Sequence, residues 1–170
     1  MNSKVLGQEA CLCLIQTLDC RNNDKDVRPA ESAQNQEVLV IPDRIIEQGT
    51  LTTDGSRTAV EVRLPWYRAL PGSCIAGAKL SIDGVEAPTE SLRWSMNGRE
   101  FGFPELVDET GEWWFPTDSA VLSGELPVAP GEEHEVRVDL TLYIPYIVMD
   151  GDETLHIDEH DIKTMKAVAA

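Results

Sequence analysis

Apolar and polar residues alternate strictly in two stretches of the chain. In residues 58–64, Val60, Val62 and Leu64 share one side of an extended segment, and charged side chains occupy the other side. In residues 134–144, apolar residues recur at every second position from Val136 to Ile144. A period of two places successive side chains on opposite faces of a sheet. Both stretches therefore predict strands with one buried and one wet face.

Turn signals separate the remaining short apolar segments. Asp54-Gly55, Asp83-Gly84 and Asn97-Gly98 are dipeptides that accept the positive φ angles of tight turns. The last two predict hairpins. No segment after residue 40 keeps an apolar i, i+3, i+4 stripe over three helical turns. A sheet without helical layers has to bury one face against another sheet, so we predict an all-β fold, an antiparallel β-sandwich.

The pattern divides the chain into three parts. Residues 1–36 keep no sustained period and end in a polar stretch, which predicts a mobile or weakly helical N-terminal extension. Residues 37–150 form the predicted sandwich domain, with residues 38–46 as a candidate first strand. Residues 151–170 are strongly charged, and we interpret them as an acidic, solvated C-terminal tail.

Charge and cysteine usage limit the partners and the compartment. The chain has 30 Asp and Glu against 14 Lys and Arg, a formal net charge of −16, which opposes binding to nucleic acid or to anionic membranes. No apolar run approaches the ~20 residues of a spanning helix, and the N-terminus makes a poor signal peptide. Three of the four cysteines lie in the first twenty residues, unlike a secreted disulfide framework. We expect a cytoplasmic protein with free thiols.

Two motifs in the charged C-terminal segment could hold a metal. His156, Glu159 and His160 spell H-x-x-E-H, the inverted zinc-protease pattern, which needs a long helix and a third ligand further along the chain. Asp150-Gly151-Asp152 begins like a calcium loop, but the sixth and twelfth positions depart from that pattern. We expect no metal and no cofactor in this chain, while a metal-dependent hydrolase built on His156, Glu159 and His160 stays as one hypothesis.

Other ionisable residues suggest no catalyst. Asp108, Glu109 and Glu112 lie on one acidic loop, where a carboxylate pair for glycoside hydrolysis would need a fixed separation. We interpret this segment as an exposed, mobile loop. His134 stands among glutamates at the start of the long strand, and we interpret it as a solvated turn histidine. We predict no catalytic residue in this chain.

Aromatic residues give the best indication of a binding surface. Residues 64–73 read LPWYRALPGS, where two φ-locking prolines enclose two large rings and a guanidinium. Trp113 and Trp114 are adjacent, so on a strand only one of them points inward. Trp94 shares a face with apolar neighbours and is predicted to be core. Exposed rings and arginine are typical anchors of protein interfaces. The predicted interface residues are Trp66, Tyr67, Arg68, Trp113, Trp114, Tyr143 and Tyr146.

Several of these segments occur in a characteristic order. A strand and turn, VRLPWYRALP, precede the hairpins LSIDGVEAP and LRWSMNGREF, an acidic loop before WWFPTD, and the strand PGEEHEVRVDLTLYIPY. From about residue 60 to residue 146, this order resembles the small beta subunit of bacterial C-glycoside deglycosidases. The resemblance does not extend to residues 1–36 or clearly to the segment after Asp150.

The resemblance implies a function that this chain performs only in a complex. Such all-β subunits pair with a larger alpha subunit that resembles xylose isomerase, a barrel holding a divalent metal and the base that eliminates the aglycone from a 3-oxo-C-glycoside. This chain would then supply structure, and Arg68 would pair with a carboxylate or a backbone carbonyl of the partner. The alternative is a stand-alone carbohydrate-binding sandwich that uses its exposed rings as a stacking platform.

Overall fold

The computed structural model describes residues 45–149 and 153–170. These residues form strands for most of their length, with one short helix, α1 (Phe103–Leu106), and two 3₁₀ turns, Gly72–Cys74 and Thr89–Ser91. The strands are β1 (Thr52–Thr53), β2 (Thr58–Arg63), β3 (Leu70–Pro71), β4 (Ile75–Ile82), β5 (Val85–Glu86), β6 (Arg93–Met96), β7 (Arg99–Gly102), β8 (Trp113–Trp114), β9 (Ser119–Gly124), β10 (Glu133–Val148), β11 (Thr154–Lys166) and β12 (Val168–Ala169).

The larger sheet has six strands in the order β12-β1-β2-β9-β6-β7. All its pairs are antiparallel except β1 with β12. The predicted alternating strand is confirmed as β2, because Val60 and Val62 are fully buried and Leu64, just beyond the strand, is also buried. Asn97 and Gly98 have φ angles of 53° and 76°, so the predicted β6–β7 hairpin is also confirmed.

The smaller sheet has four strands in the order β11-β10-β4-β5. β10 contains the predicted residues 134–144, and its apolar positions from Val136 to Ile144 are all buried. Asp83 and Gly84, with φ angles of 51° and 79°, form the turn of the β4–β5 hairpin. Strands β3 and β8 form a separate two-stranded sheet.

The two main sheets pack face to face around one hydrophobic core. Gly124 on β9 packs closely against the connection between β5 and β6, because a β-carbon built there would lie 2.8 Å from the Ala87 Cβ and 3.0 Å from a methyl of Leu92. It would also lie 3.8 Å from a methyl of Leu80 on β4, in the opposite sheet. The predicted all-β sandwich is therefore confirmed, with a core built from the inward faces of both sheets.

Residues 154–166, which the charge pattern assigned to an acidic tail, are instead the edge strand β11. This strand pairs with β10 from Glu133 to Ile144. Its inward position Asp161 accepts hydrogen bonds from the backbone N–H groups of Ile45 and Ile46, at 3.3 and 3.0 Å. The prediction was wrong because backbone pairing and these hydrogen bonds satisfy polar groups that composition alone assigns to solvent.

Two other predictions fall partly or wholly outside the described residues. The N-terminal extension, residues 1–36, lies outside them, as do residues 38–44 of the candidate first strand. Within the remainder of that candidate, Ile46 forms an isolated antiparallel bridge with Val62. Within residues 45–149 and 153–170, no helix is both long and apolar enough to cross a membrane.

Candidate functional site

The predicted interface residues gather at one end of the sandwich. Arg63 pairs with Ser119, so the segments after β2 and before β9 lie at the same end of the larger sheet. Leu142 pairs with Ile75, which brings the last part of β10 to the segment that begins β4. We call this region, formed by residues 64–74, 113–118 and 143–149, the aromatic end.

A bulge in β10 shapes the aromatic end. Ile144 pairs with Leu155 and Val148 pairs with Thr154, so residues 145–147 face no residue of β11. Bulges of this kind change the direction in which a strand presents its side chains. Here the bulge carries Tyr146, whose hydroxyl accepts a hydrogen bond from the indole N–H of Trp66, 80 residues earlier in the chain.

Four side chains, Trp66, Tyr67, Arg68 and Tyr146, contact one another around this hydrogen bond. The guanidinium carbon of Arg68 lies 4.6 Å from the ring centroid of Tyr146, within the range of a cation–π contact. The rings of Trp66 and Tyr67 lie 5.1 Å apart at 47°. Trp66 is half-buried against the core, so it connects the exposed rings to the rigid sandwich. The sequence predicted each of these residues, and the structure brings them together.

The exposed rings of the aromatic end make an apolar surface. Tyr67 is 70% exposed, Phe115 49%, Trp113 45% and Tyr146 39%. Large side chains are rarely left in water to this extent in groups, and contiguous exposed patches usually mark a site of interaction. Phe115 was not among the predicted residues. Its position directly after the two tryptophans, before Pro116, was the signal that could have identified it.

Trp114 is a correction to the predicted interface. It is only 1% exposed, and its ring packs edge-on against Trp94 at 4.9 Å. Its indole N–H donates to the carbonyl of Asp118 at 3.0 Å. Since β8 alternates, Trp113 points outward and Trp114 points into the core. The prediction that only one of the pair packs inward is confirmed, as is the core position of Trp94.

Tyr143 lies in a shallow cleft on the outer face of the smaller sheet. Its ring is half-buried and meets the imidazole of His156 edge-on, with ring centroids 4.2 Å apart. Ser73, Cys74 and Pro145 line the same cleft. Burial raises the pKa of the Cys74 thiol, which disfavours the reactive thiolate. The Cys74 thiol is therefore a weak nucleophile in this cleft, which adjoins the aromatic end.

Residues 109–112 are more ordered than the predicted mobile loop. The backbone carbonyls of Glu109 and Glu112 accept hydrogen bonds from Ser73 and Gly72, at 2.7 and 2.9 Å. Arg99 lies 3.4 Å from the Glu109 carboxylate and 3.0 Å from that of Glu112. These contacts attach the acidic segment to the aromatic end, and they commit both carboxylates to structural partners.

The same contacts change the ionisation of Glu112. Hydrogen bonds from the side chains of Asn97 and then Arg99 lower the pKa of this carboxyl below its usual range. A carboxylate held ionised in this way accepts hydrogen bonds but is a poor general acid near neutral pH. The geometry thus favours a structural role for Glu112, in support of the aromatic end, over a role in a catalytic pair of glycosidase carboxylates.

His134 is not the solvated histidine that the sequence suggested. Its side chain is 11% exposed, and its Nδ1 lies 2.6 Å from a carboxylate oxygen of Asp83. The other carboxylate oxygen of Asp83 accepts the backbone N–H of Glu135 at 2.9 Å. The Asp83 carboxylate raises the pKa of His134, and the hydrogen bond with His134 lowers the pKa of Asp83. The pair joins the β4–β5 turn to the start of β10.

The H-x-x-E-H residues do not form the site that a zinc protease requires. They lie on β11, so His156 and His160 share the outer face and Glu159 lies on the opposite face. Four residues of a strand also separate the two histidines by roughly 13 Å. Across residues 45–149 and 153–170, no three His, Cys, Asp or Glu side chains gather as a metal site. The calcium-like residues 150–152 lie outside the described residues.

Comparison with known proteins connects this surface to a family. A family model described as "C-glycoside deglycosidase beta subunit" matches residues 44–146, which include every predicted interface residue. A protein of that name from Microbacterium trichothecenolyticum is 73% identical over 131 residues, which cover 77% of this chain and 100% of the relative.

Two further relatives carry similar names. A C-glycoside deglycosidase beta subunit from Arthrobacter globiformis is 70% identical over 128 residues, covering 75% of this chain and 97% of the relative. A 3'-dehydrocarminate deglycosidase beta subunit from a Microbacterium species is 37% identical over 123 residues, covering 72% and 92%. The resemblance expected from the order of the hairpins is confirmed. The chain belongs to the C-glycoside deglycosidase beta subunit family.

Proposed function

We propose that this chain is the small, non-catalytic subunit of a cytoplasmic complex that cleaves the carbon–carbon bond of 3-oxo-C-glycosides, a lyase reaction. The partner is an alpha subunit with a barrel that resembles xylose isomerase. The observation that carries the proposal is the match to two beta subunits, at 73% and 70% identity, over 100% and 97% of their lengths. A beta subunit implies an alpha subunit in the same complex.

The chemistry divides between the two subunits. Elimination of an aglycone from a 3-oxo sugar needs a base to remove a proton and a group that stabilises the developing enolate. The proposal places a divalent metal and this base in the alpha subunit. Glu109, Glu112 and His134 are all engaged in structural contacts in this chain. Its role is to support the alpha subunit and to form a wall beside the substrate.

The aromatic end is the proposed docking surface. Tyr67, Trp113, Phe115 and Tyr146 present large rings, and Arg68 adds a charged group over the ring of Tyr146. Tryptophan, tyrosine and arginine are enriched among the few residues that carry most of the binding energy of protein interfaces. The hydrogen-bonded support beneath these rings favours a preformed surface, which loses little conformational freedom on association.

Co-expression tests the proposed function. The tagged chain and an alpha-subunit gene taken from its genomic neighbourhood are expressed together and alone, and aglycone release from a 3-oxo-C-glycoside is measured. We expect the two proteins to co-purify and only the complex to release aglycone. Aglycone release by this chain alone would contradict the non-catalytic role, and a chain that stays monomeric beside its partner would contradict the complex.

The exposed rings also favour a second candidate, a stand-alone carbohydrate-binding module. Tyr67, Trp113 and Phe115 offer faces on which a sugar could stack. This candidate predicts a change in tryptophan fluorescence when the isolated chain is titrated with C- or O-glycosides. Unchanged fluorescence at saturating glycoside would exclude it and would leave the docking surface as the function of these rings.

A further inference from the structure

Among the residues that the structure describes, Arg68 lacks an acidic partner, although the chain has an excess of acid. The net charge is −16, and most arginines in the described residues are already engaged. Arg57, Arg63, Arg99 and Arg137 each form an ion pair with a carboxylate. Within residues 45–149 and 153–170, Arg68 has a ring contact and no hydrogen bond or ion pair. Its guanidinium therefore has N–H donors available to another molecule.

Tyr146 holds this guanidinium in place. The guanidinium carbon of Arg68 lies over the ring of Tyr146, 4.6 Å from the ring centroid, and this cation–π contact leaves guanidinium N–H donors available. Trp66 fixes the tyrosine, because its indole can only donate and the Tyr146 oxygen accepts that hydrogen bond. Arg68 therefore offers its donors from a supported position.

We infer that Arg68, held over the ring of Tyr146, pairs with a carboxylate of the alpha subunit. Docking would remove water from Arg68, and a backbone carbonyl would satisfy one donor but leave the positive charge unpaired. A carboxylate satisfies both the charge and the planar pair of guanidinium donors. Tyr146 is a positioning residue in this arrangement, and the bulge of β10 places it under Arg68. The inference rests on the proposed function, since it specifies a contact within the proposed docking surface.

Binding measurements on four proteins test the contact. The wild type and the variants Arg68→Ala, Tyr146→Leu and Arg68→Ala/Tyr146→Leu are titrated against the purified alpha subunit at several salt concentrations. We expect Arg68→Ala to weaken binding about tenfold or more and to reduce the salt dependence. Tyr146→Leu should also weaken binding, but it should add little once Arg68 is absent, because its effect acts through the guanidinium.

A zero-length crosslink identifies the carboxylate directly. Arg68→Lys places an amine at the same position, and a carbodiimide joins an amine to a carboxylate that contacts it. We expect mass spectrometry of the crosslinked complex to show an amide between position 68 and an Asp or Glu of the alpha subunit. Arg68→Ala is the matched control, because it has no amine to crosslink at this position.

The outcomes distinguish a failure of the proposed function from a failure of the carboxylate contact alone. Absence of wild-type binding to the alpha subunit would overturn the proposed function. Normal wild-type binding, with Arg68→Ala within about twofold of it and an unchanged salt dependence, would overturn the carboxylate contact alone. Unchanged assembly together with a raised KM for the glycoside in Arg68→Ala would likewise overturn it, since Arg68 would then face the substrate.

Discussion

At the scale of single residues, His134 and Asp83 predict a pH-dependent increment of stability. The pKa of His134 is raised by Asp83 above its usual value of 6.5, so this contribution is complete below about pH 6.5 and is lost as the pH rises through the raised pKa. The pKa of Asp83 is lowered below its usual value of 3.8, so its contribution is present above about pH 4 and is lost as the pH falls through the lowered pKa. The pair is most stabilising between these limits.

A double-mutant cycle measures this increment. Urea unfolding of the wild type, His134→Gln, Asp83→Asn and the double variant gives the coupling free energy at about pH 5.5 and about pH 9. We expect a favourable coupling at the lower pH and a smaller one at the higher pH, as the imidazole loses its proton. Asparagine tolerates the positive φ of position 83, so Asp83→Asn keeps the turn. Equal coupling free energies at both pH values would show that the contact between His134 and Asp83 does not depend on the charge of the imidazole.

At the scale of secondary-structure elements, Gly124 on β9 packs closely against the connection between β5 and β6. A methyl group there would lie 2.8 Å from the Ala87 Cβ, so β9 or the segment after β5 has to shift to accept it. We expect Gly124→Ala to lower the free energy of unfolding by about 1–3 kcal/mol.

Gly77→Ala on β4 is the matched control, because nothing lies within 4 Å of its β-carbon position. Its stability should stay within about 1 kcal/mol of the wild type. Equal losses in both variants, measured by urea unfolding, would contradict close packing at Gly124.

Strands with an apolar period were predictable, and the strand without one was not. β10 shows its inward face in the sequence because every inward residue from Val136 to Ile144 is apolar. On β11 the inward face includes Glu159, Asp161 and Lys163, which break that pattern. Asp161 is satisfied by backbone N–H groups more than a hundred residues away in the chain. A local pattern cannot reveal a long-range partner of this kind.

At the scale of the whole molecule, the aromatic end shows what the sequence could predict about the site. The composition of residues 64–73 and the alternation of the adjacent tryptophans indicated a surface with one ring in and one ring out. Which tryptophan faces outward depends on the pairing of β8 with β3, where Trp113 lies opposite Pro71. The contact of Tyr146 with Trp66 depends on a bulge, which has no simple sequence pattern. The candidates were predictable, but their arrangement was not.

Substitutions of the two adjacent tryptophans should distinguish an effect on assembly from an effect on folding. Trp114 is 1% exposed and packs against Trp94, so Trp114→Ala should lower the free energy of unfolding by about 3–5 kcal/mol. Trp113 is 45% exposed, so Trp113→Ala should change that stability by less than about 1 kcal/mol and should weaken binding to the alpha subunit about tenfold. Urea unfolding of the isolated chain and titration against the alpha subunit measure the two effects on the same proteins. A Trp113→Ala chain that binds as tightly as the wild type would remove Trp113 from the docking surface. A Trp113→Ala chain that unfolds as easily as Trp114→Ala would show that both rings belong to the core.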